Sequence, residues 1–380
     1  MIKNDEKTIQ THSRRETFDF LEHQMSNTYE KIKKEGEFNY NQNLVKSYII
    51  ESNLNEIHRL FESYKNGFEI TIRDIDKNLY DVGITKEKTR ANFYLDAMNP
   101  RFLVFHSISD VEDSDNLIKN LVSQILSKLD HIWLDKNFLR EIKRQNADYS
   151  KGIGIQYRYG ELFPTKDVGD TLTMKARGSL SDTILKEMEN NAHLSKFLTI
   201  TSVGFKKVFT AYDGEQNDVI IEDINYQGKF SAKGTSIYQH LQIIDEIQKK
   251  YENNIRIIEN EYGISYIHKK KEISIKGAPL LITLKKEIED LENFIKVIIS
   301  SKNPFRLAGF SKMLDNGTAL VSGVDLHNGD EFNLELTKEW IRFYLPKNAC
   351  GNTVMRFLSN LQRYYDANAH LEGFEYGKIV

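Results

Sequence analysis

Cysteine, proline and long apolar runs are scarce in this sequence, and each scarcity narrows the class of protein. One cysteine, Cys350, in 380 residues cannot form an internal disulfide, which excludes a disulfide-rich secreted scaffold and fits a reducing compartment. No apolar run approaches the roughly 20 residues that span a bilayer, and the first residues lack a signal-peptide core. The sequence therefore predicts a cytoplasmic protein with no membrane partner. Its 5 prolines and abundant Lys, Asn and Ile are typical of an AT-rich bacterial genome.

Nucleotide and zinc motifs are missing as well. There is no GxxxxGK[ST] sequence, and the GIG at residues 152–154 lies within an alternating, strand-like segment rather than before a helix. The cysteine and the scattered histidines lack the paired spacing of a structural zinc site. The formal charge of −3 excludes a generally basic coat, so any phosphate affinity must be local. We predict no cofactor.

The chain does contain alternating apolar segments and long amphipathic helices, which predict an α+β protein of two domains. Its mixed or antiparallel sheets are expected to pack on those helices. The predicted organisation is a loosely attached helix in residues 1–36, an N-terminal α/β domain in 37–148 and a C-terminal α+β domain in 149–380. Amphipathic helices are predicted within residues 44–61, 116–129, 136–144, 236–261 and 283–300.

The clearest local signal is positive charge near the C-terminus. An alternating strand ends at Pro346, and a short turn leads into a helix that Asn352 or Thr353 can cap. Between Trp340 and Tyr365 there are four basic residues and no acidic one. This segment is therefore the place where we expect an anion to bind.

Helical spacing places two of these basic residues together. Arg356 and Arg363 are seven residues apart and return to one face of the closing helix, and His370 continues that stripe. Gly351 leaves the backbone N–H groups of the helix start open to an anion. The predicted binding residues are Arg342, Lys347, Gly351, Asn352, Arg356, Arg363 and His370.

These residues favour a cytosolic binding component that engages a polyanion, with nucleic acid as the expected partner. Such a protein could serve as an accessory subunit of a bacterial system, for example one for antiviral defence. A different interpretation is a pure protein-interaction subunit, in which the long helices at residues 236–261 and 283–300 make the contacts and the basic stripe is solvated.

A thiol hydrolase is one enzymatic alternative. A cysteine at a helix N-terminus can have a depressed pKa, and Asp325 and His327 lie at the end of a nearby predicted strand. These strand ends resemble those that carry His and Cys in caspase-like peptidases, which would give Cys350, His327 and Asp325 catalytic roles. The short, hairpin-like stretch between His327 and Cys350 departs from the crossover connection of that fold.

Two nuclease patterns are also present. Asp213, Asp218 and Glu222 are candidate Mg²⁺ ligands of a metal-dependent nuclease, although the adjacent Asp223 must point to the opposite face of the strand. Arg363 and His370 have the spacing of the Arg-x(4–6)-His motif of HEPN ribonucleases, and the strands before them do not suit that all-helical fold. Mg²⁺ is expected only under the nuclease alternative.

Overall fold

Two antiparallel sheets form the framework of the computed structural model, which describes residues 11–35, 44–54, 57, 67–124, 128–163, 170–210, 218–269 and 272–372. An eleven-stranded sheet and a six-stranded sheet are accompanied by helices from all parts of the chain. The predicted α+β class is confirmed. None of the described helices is both long enough and apolar enough to cross a membrane.

The large sheet contains the strands of the first two thirds of the chain. Its strand order is β2-β3-β4-β5-β1-β11-β10-β9-β7-β8, and β6 pairs with β1. The strands are β1 (Val45–Ser52), β2 (Phe68–Asp76), β3 (Leu79–Lys86), β4 (Thr89–Asp96), β5 (Phe102–Ser107), β6 (Leu129–His131), β7 (Tyr149–Arg158), β8 (Thr171–Arg177), β9 (Ile200–Phe209), β10 (Asp218–Asn225) and β11 (Lys229–Gly234).

Helices cover the large sheet unevenly. On one side the sheet shares a core with α1, α3 and α6, to which Leu21, Phe138 and Ile244 contribute. On the other side a smaller core joins β1–β5 to α2 through residues such as Tyr48 and Leu117. The helices are α1 (Arg14–Glu35), α2 (Val111–Val122), α3 (Lys136–Asn146), α4 (Tyr159–Leu162), α5 (Leu180–Asn190) and α6 (Ile237–Ile257), which continues as a π-helical turn, Ile258–Tyr262.

The predicted helix in residues 44–61 is wrong for residues 45–52, which form the central strand β1, whereas Ile57 is helical. All eight residues of β1 are buried, so its apolar positions follow no two-residue alternation. Residues 55–56 and 58–61 of that prediction lie outside the described residues. β1 pairs with β11, so the expected domain boundary between residues 148 and 149 falls inside one sheet. The N-terminal helix is confirmed, with Phe18, Leu21 and Met25 buried.

The second sheet is built from the last third of the chain, in the order β15-β16-β17-β18-β14-β19. The predicted helix in residues 283–300 is shorter than expected and follows a strand. The elements are β12 (Ser265–Lys269) and β13 (Glu272–Lys276), which form a separate hairpin, then β14 (Leu280–Thr283), α7 (Leu291–Ile298), β15 (Leu307–Met313), β16 (Ala319–Asp325), β17 (Glu331–Leu336), β18 (Trp340–Tyr344), α8 (Asn352–Tyr364) and β19 (His370–Leu371).

The closing helix α8 lies between the two sheets. All 13 of its residues are buried. Phe357 contacts Phe343 of the small sheet, and the backbone oxygen of Gln362 accepts a hydrogen bond from Thr199 beside the large one. The helix predicted from spacing is confirmed, whereas its predicted exposed basic face does not exist. α8 therefore fixes the position of each sheet against the other.

Candidate functional site

Arg356, the centre of the predicted binding stripe, is an internal residue. Its side chain is 1% exposed. The guanidinium group pairs with Asp130 of β6 and Asp325 of β16, and its Nε donates to the backbone oxygen of Phe305 at 2.9 Å. The prediction that Arg356 points into solvent is wrong, because acids far away in sequence neutralise it inside the fold.

Arg363, one helical repeat later, is also buried. It donates to the Tyr226 hydroxyl and to Gln156 Oε1, and its guanidinium carbon lies 4.0 Å from the centre of the Tyr226 ring. These contacts hold the cation between α8 and the large sheet, while its Nε has no hydrogen-bond partner among the described residues. The predicted solvent-facing stripe of Arg356 and Arg363 is therefore wrong for both members.

The start of α8 is closed to an outside anion. The backbone N–H of Gly351 donates to Glu259 Oε1 at 2.8 Å, and that of Cys350 donates to Asp330 Oδ2 at 2.8 Å. Asn352 is buried and its side-chain amide donates to the backbone oxygen of His131 at 3.0 Å. Carboxylates of the same chain thus occupy the positive end of the helix, where we predicted a ligand.

The other predicted binding residues lie apart from this region of the core. Arg342 is partly exposed and pairs with Glu335 at 3.1 Å, and His370 Nε2 lies 3.0 Å from Glu372. Lys347 is exposed. The structure therefore does not unite the seven predicted residues in one surface.

A different basic surface occurs on the outer side of the large sheet. We call it the basic sheet face. Arg177, Gly152, Gly204, Asp223 and Ser231 lie side by side across β8, β7, β9, β10 and β11. In the neighbouring rows, Lys175 is paired with Gly154, and Ile221 lies between Lys206 on one side and Lys233 on the other. The basic residues of this face are Lys151, Lys175, Arg177, Lys206, Lys229 and Lys233.

The cations of the basic sheet face act on one another. Desolvation by the surrounding atoms raises the pKa of Asp223. Four nearby positive charges lower it, namely those of Lys175, Lys229, Arg177 and Lys233. Burial lowers the pKa of Lys233, and the charges of Arg177 and Lys151 lower it further. Side chains from β7, β8 and β11 therefore converge above β10 and create a positive potential there.

A second polar centre lies where the two sheets meet. Glu51 of β1, His327 after β16 and Cys350 before α8 are all buried, and one ligand atom from each lies within 4.8 Å of the others. Cys350 Sγ is 3.3 Å from both oxygens of Glu51, and His327 Nε2 is 3.9 Å from Glu51 Oε2. We call these residues the Glu51–His327–Cys350 cluster.

Neighbouring groups fix the orientation of the cluster. Arg101 donates from Nη2 to Glu51 Oε1 at 2.9 Å and also pairs with Glu259. His327 Nδ1 donates to the backbone oxygen of Leu129 at 3.0 Å, so Nε2 accepts the amide of Asn53 at 2.8 Å. Cys350, Arg101 and Asn53 line a cavity of about 510 Å³. The cluster is therefore preformed and adjoins open space.

Protonation in the cluster does not favour a thiolate nucleophile. Burial and the neighbouring Glu51 raise the pKa of Cys350 well above its usual value, against the influence of Arg101. Burial raises the pKa of Glu51 to about 7 and lowers that of His327. Asp325, predicted as a catalytic partner, accepts the backbone N–H of His327 and pairs with Arg356, so it does not contact the imidazole. The structure joins Cys350 with His327 but leaves Asp325 in another role.

The acids of the metal-nuclease alternative do not converge on one ion in the described structure. Glu222 is buried and pairs with His240 Nδ1 at 2.5 Å, whereas Asp218 accepts the Thr235 hydroxyl at 3.0 Å. Asp213 lies outside the described residues. Glu222 and Asp223 point to opposite faces of β10, as predicted.

Sequence reasoning missed Glu51 and Arg101 as site residues. Glu51 sat within a segment assigned to an amphipathic helix, and Arg101 preceded a strand with no motif around it. A charged residue at the end of the apolar run of β1 is the signal that could have identified Glu51, because buried carboxylates need partners. Lys175 and Arg177 alternate along β8, a strand that the sequence analysis did not predict, and only the sheet order shows what they face.

Comparison with known proteins shows similarity along nearly the whole chain. A family model described as "MJECL33-like protein" matches residues 5–380. The uncharacterized protein MJECL33 of Methanocaldococcus jannaschii is 32% identical over 403 residues, covering 97% of this chain and 96% of that protein. No solved structure matches. The chain belongs to the MJECL33-like protein family.

Proposed function

We propose that this protein binds nucleic acid through the basic sheet face. The observation that supports the proposal is the convergence of four basic side chains around Asp223 on one side of the large sheet, with Lys151 and Lys206 beside them on β7 and β9. The partner predicted from sequence is thus retained, and the surface moves from the C-terminal helix to strands β7–β11.

Charge distribution supports a polyanion as the occupant. The whole chain carries a formal charge of −3, so a cationic patch is a local departure from its average. Among the described residues, Lys151, Lys175, Arg177 and Lys206 form no salt bridge, and Lys229 pairs with Asp115 at 2.6 Å. Phosphate groups would supply counter-charges to these side chains and release condensed ions.

The shape of the face also suits a phosphate backbone. Small residues form its floor, namely Gly152, Gly154, Ser202, Gly204 and Ser231, so a ligand can approach the strands closely. From β8 to β11 the floor crosses four strand spacings, about 19 Å. Tyr149 is 58% exposed beside Lys206 and offers a ring for base stacking.

The test compares two double variants with the same change in composition and charge. K175Q/R177Q removes two cations from the basic sheet face, and R342Q/K347Q removes two from the C-terminal segment. Binding of fluorescently labelled single-stranded and duplex oligonucleotides is measured by anisotropy over a series of salt concentrations. K175Q/R177Q should weaken binding and lower the slope of log K against log salt by about 1.4–1.8.

R342Q/K347Q is expected to bind as the wild type does. Equal weakening by both pairs would show a response to net charge alone, and no salt-dependent binding by the wild type would refute the proposed function. Circular dichroism of each variant establishes that the fold is unchanged.

A further inference from the structure

We propose that Glu51, His327 and Cys350 form a binding site for one divalent cation of borderline softness, such as Zn²⁺ or Co²⁺. The three residues come from β1, the β16–β17 turn and the β18–α8 turn, so the fold brings them together rather than a local motif. This inference is independent of the basic sheet face, which lies on strands β7–β11.

Two of the ligand-atom distances lie near those of a tetrahedral site, and the third, between Cys350 Sγ and His327 Nε2, is within 4.8 Å. With zinc bonds of about 2.3 Å to sulfur and about 2.0 Å to nitrogen and oxygen, neighbouring ligand atoms are about 3.3–3.5 Å apart. Cys350 Sγ already lies 3.3 Å from each oxygen of Glu51. His327 Nε2 and Glu51 Oε2, at 3.9 Å, would approach each other by about half an ångström.

The surrounding contacts resemble the outer shell of a metal centre. The Nδ1–H of His327 donates to the backbone oxygen of Leu129, which directs Nε2 into the cluster. Arg101 holds Glu51 Oε1, so Oε2 is the oxygen left for an ion. Asn53, which donates to Nε2 in this structure, borders the cavity and can turn toward it when the ion binds.

The charge around the cluster also favours a cation. Counting only groups that are not exposed, there are two more carboxylates than guanidinium groups in this part of the core, enough to balance one divalent ion. The carboxylates are those of Glu51, Asp130, Glu259, Asp325 and Asp330, and the guanidinium groups are those of Arg101, Arg306 and Arg356.

The donor set selects the kind of metal. A thiolate and an imidazole favour Zn²⁺ and Co²⁺ over Mg²⁺ and Ca²⁺, which prefer oxygen. Binding exchanges the Cys350 thiol proton for a metal–sulfur bond, so each ion bound releases this proton to the solvent. Because Cys350 lines the cavity, three protein ligands would leave a fourth position facing it, as in catalytic rather than structural zinc sites.

The test is titration of the full-length, chelator-treated protein with Co²⁺ under anaerobic conditions. One equivalent should produce the visible bands of tetrahedral cobalt and a near-ultraviolet thiolate-to-cobalt charge-transfer band, and Zn²⁺ should abolish both. C350S should lose the charge-transfer band, and H327Q and E51Q should weaken binding. H193Q, in an exposed loop, is the matched histidine control and should titrate as the wild type.

A second measurement needs no variant. Cys350 is the sole cysteine, so alkylation by iodoacetamide reports on this thiol alone. Zn²⁺ should slow alkylation of the wild type about tenfold or more, and Mg²⁺ should not. Absence of cobalt bands in the wild type, a charge-transfer band that persists in C350S, or equal alkylation with and without Zn²⁺ would each overturn the proposed site.

Discussion

Arg356 neutralises two buried carboxylates at the centre of the molecule. Its replacement by alanine is the most direct test of this buried network. In the wild type the guanidinium group donates hydrogen bonds to Asp130, Asp325 and the backbone oxygen of Phe305. R356A leaves both carboxylates buried without this counter-charge. It also leaves a cavity at a side chain that is 1% exposed.

The size of the effect follows from what remains around each acid. Removal of one partner of a buried ion pair costs about 3–5 kcal/mol. Asp130 keeps Arg306 at 3.8 Å and the Trp133 indole at 3.1 Å. Among the described residues, the donors that Asp325 keeps are neutral, such as the Thr353 hydroxyl. We therefore expect a loss of about 5 kcal/mol at pH 7, mostly from Asp325. For a chain of 380 residues this lowers the Tm by about 6 °C.

The assay is urea unfolding followed by circular dichroism and by tryptophan fluorescence. Trp133 is a natural reporter because its indole N–H donates to Asp130, and Trp340 lies elsewhere on β18. Repeating the measurement at lower pH isolates the charge component. Against the effect of burial, Arg356 helps to hold the pKa of Asp130 below its usual value, so the difference between R356A and the wild type should shrink as Asp130 takes up a proton.

Two variants bracket the result. R356K keeps the charge but lacks the planar fork that reaches both carboxylates, so an intermediate loss of about 2–3 kcal/mol is expected. R342A removes an exposed arginine paired with Glu335 and should cost less than about 1 kcal/mol. If R356A is as stable as R342A, the buried network does not exist as described.

Two other predictions concern acid sensitivity and a tight turn. Burial lowers the pKa of His106 to about 3, so the folded state binds fewer protons than the unfolded state and loses stability as pH falls from 6.5 toward 3. H106Q should reduce the loss measured by urea unfolding between pH 6.5 and 5 by about 2 kcal/mol, and an unchanged pH dependence would contradict this assignment. Gly228 has a φ of +70°, and an added Cβ would lie 2.3 Å from Ile132 Cγ1. G228A should therefore lower the free energy of unfolding by about 2–4 kcal/mol. G67A should lower it by about 1 kcal/mol, because Gly67 has a φ of +83° but open space around it. Equal losses in the two variants would exclude the steric clash with Ile132 as the cause.

The sequence predicted elements well where local chemistry specifies them. The hairpins of the second sheet and helix α8 follow from alternation, turn residues and helical spacing. β1 was assigned to a helix because its positions are buried on both sides. Tertiary pairing overrides the local pattern at such central strands.

The candidate sites were harder to predict because their residues are distant in sequence. Helical spacing alone predicts that Arg356 is a solvent-exposed cation, and only the fold shows that Asp130 and Asp325 lie beside it. Cys350 and His327 were identified from sequence, and the carboxylate that joins them, Glu51, lies almost 300 positions away. Residue types and spacing along one element carry no information about such pairings.

The burial of α8 between the sheets sets the order in which the chain can mature. A nascent chain that has not yet released its C-terminal segment from the ribosome lacks the helix that both sheets cover. Their apolar faces then lack this helix as a partner, and Asp130 lacks its ion pair with Arg356. The two sheets therefore reach their final arrangement only after residues 352–364 have been synthesised, and an early stop before residue 352 yields a chain that cannot close its own interior.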